Sequence, residues 1–169
     1  MKTIIFTTKY LGHCGCGSDE DIEVVTELLE DQTLDDLEES IIYKGLNWDE
    51  PHLYNFCFDN RSYSNNLETT YFCEGDEIDR LSPVTNHSKY CKCDLCQVCK
   101  SMPKPKMTDT KLTDIKMRKG TRFLLVFDFG DDHHFSIKVT GFGETDVSKK
   151  YPIVKTNGII IPQYPEDLE

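Results

Sequence analysis

The sequence predicts a single domain that combines β-strands with one clear helix. Its most apolar stretch, residues 123–139, has two runs of β-branched and aromatic residues around a Gly-Asp-Asp break. This pattern is typical of a β-hairpin. The first run is apolar on both faces as far as Asp128, so we expect a central strand. The second run alternates apolar and polar residues, so one of its faces should contact water. At 169 residues, the chain is long enough to bury a core and to carry one insertion.

The helix is predicted to begin after Thr33. Thr33 is a favourable N-cap residue, and the two aspartates that follow Leu34 suit the positive end of the helix dipole. One face carries apolar residues at helical spacing, namely Leu34, Leu37, Ile41 and Ile42. Gly45 is the predicted end of this helix.

The remaining elements are predicted as strands and turns. Residues 2–10 form a first strand, and residues 52–59 and 67–73 form an antiparallel pair joined by a polar turn. Residues 22–29 are compatible with a strand or a helix, because eight residues do not establish a period. Residues 111–117 fit one helical turn, and residues 151–169 hold a short strand and an Asn-Gly turn.

Residues 74–109 differ in composition from the rest and are predicted to be an insertion in the single domain 1–169. Apolar residues become rare there, and the segment contains Cys91, Cys93, Cys96 and Cys99. Four thiolates at such spacing can hold zinc in a closed tetrahedral shell, which would be structural rather than catalytic. Nine residues are tight for one tetrahedral site, so a ligand can instead come from His87, His13, Cys14 or Cys16. An iron–sulfur cluster and free thiols are the alternatives.

Charge is distributed unevenly along the chain, whose net charge is −11. Thirteen acidic residues and one lysine lie between Asp19 and Glu50, whereas ten basic and three acidic residues lie between Lys89 and Arg122. The net charge disfavours a non-specific nucleic-acid binder, although the basic segment alone could attract phosphate.

No apolar run is long enough to cross a membrane and no signal peptide is visible, so we expect a cytoplasmic protein with reduced cysteines. The remaining two strand cysteines, Cys57 and Cys73, are predicted core residues.

The hairpin tip concentrates the other chemically active side chains. Alternation along a strand places Asp131 and His133 on one face and Asp132 and His134 on the other. An Asp–His pair can orient a general base or hold a metal ion. Asp and Gly are also common in tight turns for purely conformational reasons, and we favour that interpretation.

Four stretches in chain order together resemble the plasmid pRiA4b ORF-3-like family of insertion-element passenger-like proteins. They are TLDDLEESI, LNWDEPHLYNFCFDN, TKLTDIKMRKGTRFLLVFDFGDDHHFSIKV and YPIVKTNGIIIPQYPE. The resemblance omits the cysteine segment and implies an α+β fold, in which the main helix packs on a bent, mostly antiparallel sheet. His133 stands where the family usually carries a tryptophan. The family is of unknown function and therefore implies no activity.

Three function classes are compatible with these features. The first is a binding or adaptor domain with a structural zinc ion, no catalysis, and an unknown protein or small molecule as its partner. Its recognition groove would be lined by His52, Tyr54, Asp128, Asp131, His133 and His134. The second is a nucleic-acid-associated protein that uses the basic segment. The third is a metal-dependent hydrolase built on Asp128, Asp131, His133 and His134, although alternation argues against all four side chains meeting at one ion.

Overall fold

The computed structural model describes residues 1–15, 17, 21–48, 51–64, 66–74, 105–160 and 162–164. In these ranges, eight strands form one mixed, mostly antiparallel sheet that packs against one α-helix, in agreement with the predicted α+β class. The elements are β1 (Lys2–His13), β2 (Glu23–Leu29), α1 (Leu34–Leu46), β3 (Tyr54–Cys57), β4 (Thr70–Phe72), β5 (Lys106–Met107), β6 (Arg122–Phe127), β7 (His133–Glu144) and β8 (Ile153–Asn157). A 3-10 turn spans Leu112–Asp114.

The predicted hairpin, β6–β7, lies in the middle of the sheet. The strand order is β5-β4-β3-β6-β7-β1-β2-β8, and all pairs are antiparallel except β4–β5. Strand β7 pairs on its other edge with β1 over almost the full length of both strands, which places His13 opposite His133. The ambiguous residues 22–29 form strand β2, which pairs with β1 and β8. Tertiary pairing therefore decides what periodicity left open.

Helix α1 begins as predicted and ends one residue later than predicted. The Thr33 hydroxyl accepts a hydrogen bond from the backbone of Asp36, and the Asp36 carboxylate accepts one from the backbone of Thr33, which forms a capping box. The helix continues through Gly45 to Leu46, and Asn47 adopts the left-handed conformation that closes it. Gly45 is needed for packing, since a Cβ there would lie 2.7 Å from Cγ1 of Val24 on β2.

The core lies where α1 meets the sheet. Buried side chains of the helix face buried residues of β1, β2, β6 and β7, among them Phe6, Val24, Phe123 and Ile137. Cys57 and Cys73 are buried, as the sequence predicts. Among the described residues, no helix is long and apolar enough to span a membrane.

Candidate functional site

The turn between β6 and β7 is shaped by two aspartates with positive φ. Asp128 and Asp132 have φ values of 52° and 57°, a conformation that Asp tolerates better than most residues. Oδ1 of Asp128 accepts hydrogen bonds from the backbone of Gly130 (3.1 Å) and Asp131 (3.4 Å). One carboxylate oxygen thus stabilises the turn, and the other, Oδ2, faces away from it and is buried.

His133 forms the floor of the site. Its side chain is only 1% exposed, and its Nδ1 lies 2.9 Å from the hydroxyl of Tyr10 on β1. The imidazole packs against Trp48 and His13, with ring centroids 4.6 Å away in each case. Burial and the neighbouring His13 lower the pKa of His133 to about 4, against the opposing effect of Asp128 and Asp131. His133 is therefore a neutral imidazole at physiological pH.

Two buried polar atoms of the β6–β7 turn and the start of β7 have no hydrogen-bond partner among the described residues. They are Oδ2 of Asp128 and Nε2 of His133. Leaving such atoms unsatisfied costs roughly 1–3 kcal/mol each, so their persistence calls for an explanation. One ligand atom from each of Asp128, Asp131 and His133 lies within 4.8 Å of the others. Asp131 is exposed, so the cluster has a buried floor and a side open to solvent.

Two further histidines lie at the edge of this cluster. Nδ1 of His52 is 3.4 Å from Oδ2 of Asp128, without the geometry of a hydrogen bond, and its Nε2 is 2.8 Å from the Tyr164 hydroxyl. Nδ1 of His13 lies 2.5 Å from the backbone oxygen of Asp131. Three histidines therefore surround two carboxylates at one end of the sheet.

The opposite face of the hairpin carries a separate group of polar side chains. Nε2 of His134 lies 2.8 Å from Oδ1 of Asp132, and its Nδ1 lies 3.0 Å from the hydroxyl of Ser62. The Tyr63 hydroxyl also donates to Oδ1 of Asp132. This division matches the predicted alternation, in which Asp131 and His133 share one face and Asp132 and His134 the other.

The structure brings together four of the six predicted groove residues, namely His52, Asp128, Asp131 and His133. His134 lies on the other face of the hairpin. The Tyr54 hydroxyl donates to Oδ1 of Asp35 on α1, 2.5 Å away, so this side chain is directed to the helix. The sequence does not single out Tyr10, and it indicates His13 only as an alternative zinc ligand. The β1–β7 register places both beside His133, and no local sequence signal reveals it.

The predicted zinc ligands Cys91, Cys93, Cys96 and Cys99 lie outside the described residues, as do His87 and Cys16. Of the alternative ligands that are described, His13 contacts Asp131, and Cys14 is disulfide-bonded, contrary to the expectation of reduced cysteines. Much of the basic segment between Lys89 and Arg122 also lies outside the described ranges. The structural zinc site and a nucleic-acid surface therefore stay predictions.

The donor set on the floor of the site fits a divalent metal ion. An imidazole nitrogen and two carboxylate oxygens suit zinc, manganese or iron, whose bonds to such ligands are about 2.0–2.2 Å long. Two ligands of one such ion lie at most about 4.4 Å apart, so a spread of up to 4.8 Å would close with shifts of a few tenths of an ångström. The Tyr10 hydroxyl would orient the imidazole by bonding the nitrogen that does not face the ion.

Comparison with known proteins identifies relatives whose functions are also unknown. The profile of the family described as Plasmid pRiA4b ORF-3-like protein matches residues 21–168. A crystal structure of a protein of unknown function, MM3350 from Methanosarcina mazei Go1, is similar with a TM-score of 0.60 and 17% identity. The alignment covers 96% of this chain and 72% of that one, and at this identity it supports the fold alone. No curated protein matches the sequence.

Proposed function

This chain belongs to the plasmid pRiA4b ORF-3-like family, and we propose that it is a metal-binding protein whose ion lies at the end of the β6–β7 hairpin. The ligands are Asp128, Asp131 and His133. The observation that carries the proposal is the pair of buried atoms, Oδ2 of Asp128 and Nε2 of His133, that lack a hydrogen-bond partner in the described structure. An ion satisfies both atoms at once, and it places a positive charge beside the buried carboxylate.

The electrostatics of the site favour binding of a metal ion over protonation of His133. A metal ion binds the neutral form of imidazole, and the pKa of about 4 keeps His133 neutral well below physiological pH. Protonated His133 would carry its charge beside His13 in a buried position, which is why the proton is disfavoured. A divalent ion gains more than a proton does, because it interacts with two carboxylates and the nitrogen together.

Three protein ligands leave coordination positions for water or for a small ligand. The exposed side at Asp131 and His13 gives solvent access to these positions. Such an open site supports metal-dependent ligand binding, which agrees with the binding role expected from the sequence. Hydrolysis by a metal-bound water is the second candidate, and the observation that favours it is His13, whose imidazole lies at the exposed rim where a general base would stand.

The test is metal content and zinc affinity of the untagged protein, measured by plasma mass spectrometry and by equilibrium dialysis against Zn²⁺ alone. Asp131→Asn should lower the affinity of the hairpin site by at least about 10-fold, because it removes one charged ligand. Asp132→Asn is the matched control, since this neighbouring carboxylate faces the other side of the hairpin. Equal zinc binding by Asp131→Asn and the wild-type protein would overturn the proposal.

The same measurement separates this ion from the structural zinc predicted at Cys91, Cys93, Cys96 and Cys99. A Cys93→Ser/Cys96→Ser variant should lose that second ion and retain the hairpin ion. If the cysteine variant loses all zinc while Asp131→Asn loses none, the metal belongs to the cysteine segment alone. The adaptor role, with its structural zinc, is then the function to pursue.

A further inference from the structure

The face of the hairpin opposite the metal ligands carries a connected series of three side chains. The Ser62 hydroxyl is 3.0 Å from Nδ1 of His134, and Nε2 of the same imidazole is 2.8 Å from Oδ1 of Asp132. A hydroxyl, an imidazole and a carboxylate are thus joined through the two nitrogens of one ring. The order hydroxyl, imidazole, carboxylate is that of the triad that activates a serine nucleophile in several unrelated hydrolase folds, with the two ring nitrogens interchanged.

The chemistry of the carboxylate fixes the direction of these hydrogen bonds. An ionised carboxylate only accepts hydrogen bonds, so Nε2 of His134 carries the proton and donates it to Asp132. In the neutral ring, Nδ1 is then the acceptor, and the Ser62 hydroxyl donates to it. The Tyr63 hydroxyl donates to the same Asp132 oxygen and holds the carboxylate in place. Each group is therefore oriented for transfer of the serine proton to the imidazole.

We propose that Ser62 and His134 form a nucleophilic hydrolase site for small carboxylic esters, in which Asp132 is the positioning residue. The site is independent of the proposed metal centre, because its side chains lie on the other face of the hairpin. Ser62 is exposed, whereas His134 is 2% exposed, so the nucleophile is accessible while the base is shielded from water. Gly15 lies against the base, since a Cβ there would be 2.7 Å from Nδ1 of His134. The lack of a side chain at Gly15 leaves room for the imidazole to face Ser62.

The aromatic rings near Ser62 indicate the substrate class. The ring of Tyr63 lies 5.8 Å from that of Phe129 and 5.9 Å from that of His134. The rings of Tyr63 and Phe129 provide an apolar surface beside the nucleophile, which suits an ester with a short acyl chain and an aryl leaving group.

The reaction balances without any co-reactant other than water. The Ser62 oxygen forms a bond to the ester carbonyl carbon as its proton moves to Nδ1 of His134. The bond between this carbon and the leaving oxygen then breaks, and the imidazolium returns the proton to that oxygen, which releases the alcohol or phenol. Water attacks the acyl-serine in the same way, gives a proton to His134, and releases the carboxylic acid with regeneration of the Ser62 hydroxyl.

The experiment measures hydrolysis of p-nitrophenyl acetate and covalent labelling by diisopropyl fluorophosphate, with peptide mass spectrometry to locate the label. Wild-type protein should hydrolyse the ester and carry the label on Ser62. Ser62→Ala and His134→Gln should each lower kcat/KM by at least about 100-fold. Ser64→Ala is the matched control, because this hydroxyl lies in the same loop but bonds Asp59, and it should retain the wild-type rate.

Asp132→Asn tests whether Asp132 positions the His134 imidazole. The measurement is the separate change in kcat and in KM, which a general loss of structure would affect together. An amide that donates to Nε2 reverses the imidazole tautomer, so kcat should fall while KM stays within about 2-fold of the wild-type value. Circular dichroism establishes that each variant is folded. Absence of hydrolysis and of Ser62 labelling in the wild-type protein would overturn the proposal. So would activity that survives in Ser62→Ala and is abolished by EDTA, which would assign the hydrolysis to the metal centre instead.

Discussion

The hydroxyl of Tyr10 on β1 lies 2.9 Å from Nδ1 of His133 on β7, and both side chains are buried. The contact occupies Nδ1, so Nε2 of His133, which has no hydrogen-bond partner in the described structure, is the ring nitrogen left for a metal ion. The β1–β7 pairing thus determines which atom of His133 is offered to a metal ion. The site depends on the sheet register as much as on the hairpin turn.

The first prediction is that Tyr10→Phe destabilises the protein. The substitution keeps the ring packed against Trp48 and Phe135 but leaves Nδ1 of His133 without its partner. We expect the free energy of unfolding to fall by about 1–3 kcal/mol, measured by urea denaturation at pH 7. Tyr43→Phe is the control, since Tyr43 is 59% exposed on α1 and should change stability by less than about 0.5 kcal/mol. Equal effects of the two variants would contradict the structural role of this hydrogen bond.

The second prediction concerns acid sensitivity. The pKa of His133 is about 4 in the folded protein, chiefly because of burial, and about 6.5 in an unfolded chain. Between these values the unfolded state binds the proton and the folded state does not, so stability falls as the pH is lowered from 6.5 to 4. The neutral imidazole should account for a loss of about 3 kcal/mol over this range.

A variant isolates this contribution from that of other titrating groups. His133→Phe cannot take up a proton, so its free energy of unfolding should depend less steeply on pH between 6.5 and 4 than that of the wild-type protein. Both proteins should be unfolded with urea in the presence of a chelator, because a bound ion would itself change the titration. Parallel pH profiles for the two proteins would show that His133 titrates normally.

The sequence predicts those features of the site that depend on residues close together in the chain. Strand alternation separates Asp131 and His133 from Asp132 and His134, and the structure confirms this division. Local rules also place Thr33 at the start of α1, because an N-cap involves neighbours within three residues. They misplace Tyr54, whose hydroxyl bonds to Asp35.

The remaining site residues come from distant parts of the chain. His13 pairs with His133 through the β1–β7 register, and Ser62 reaches His134 across 72 positions. Such pairings depend on the burial of whole strands, so no short window of sequence contains them. Gly45 is a second example of a residue whose role depends on a distant part of the chain. Its sequence context indicates the end of the helix, whereas in the structure a side chain at this position would clash with Val24 on strand β2.

The third prediction is that Glu38→Gln stabilises the protein at mildly alkaline pH. Burial, together with the neighbouring Asp35 and Glu39, raises the pKa of Glu38 to about 8 from an ordinary value of 4.5. The folded state therefore binds the proton more tightly than the unfolded state, and stability falls as the pH rises from 4.5 through 8. The neutral amide avoids this cost, so we expect a gain on the order of 1–3 kcal/mol at pH 8 and little change at pH 4.5.

Glu68→Gln is the control for this prediction, because Glu68 is exposed and should show no such pH-dependent gain. Glu38 and His133 act in opposite directions between pH 4.5 and 6.5, and they partly cancel in the wild-type protein. The pH profile of the wild-type protein alone therefore does not test either residue. A Glu38→Gln variant no more stable than wild type at pH 8 would contradict the raised pKa.

The fourth prediction is that Thr33→Ala weakens the start of α1. The substitution removes the hydroxyl that accepts from the backbone of Asp36 at 3.2 Å, so one N-terminal amide of the helix loses its partner. We expect a loss of about 1 kcal/mol in thermal or urea unfolding. Thr113→Ala is the matched control, since Thr113 is exposed in the 3-10 turn and the described structure shows no hydrogen bond from its side chain. A loss no larger than that of the control would contradict the capping box.

The fifth prediction is that Gly45→Ala destabilises the protein although alanine favours helices. Helix propensity alone would give a gain of about 1 kcal/mol for this substitution. The new Cβ, however, would lie 2.7 Å from Cγ1 of Val24, and such overpacking of a core costs about 1–3 kcal/mol. The steric term is the larger one because Val24 is 2% exposed in strand β2 and has little space into which it can move. We therefore expect a net loss in the free energy of unfolding.

A double-mutant cycle distinguishes this steric cost from any other effect of Gly45→Ala. Val24→Ala alone should destabilise the protein by creating a cavity. In that background Gly45→Ala should cost less or become stabilising, because both Val24 methyl groups within 3.2 Å of the new Cβ are removed and only the backbone oxygen of Ser40, at 3.1 Å, remains close. Additive effects of the two substitutions would show that the Cβ added by Gly45→Ala does not clash with Val24. The loss of stability on Gly45→Ala would then have to arise within helix α1 itself.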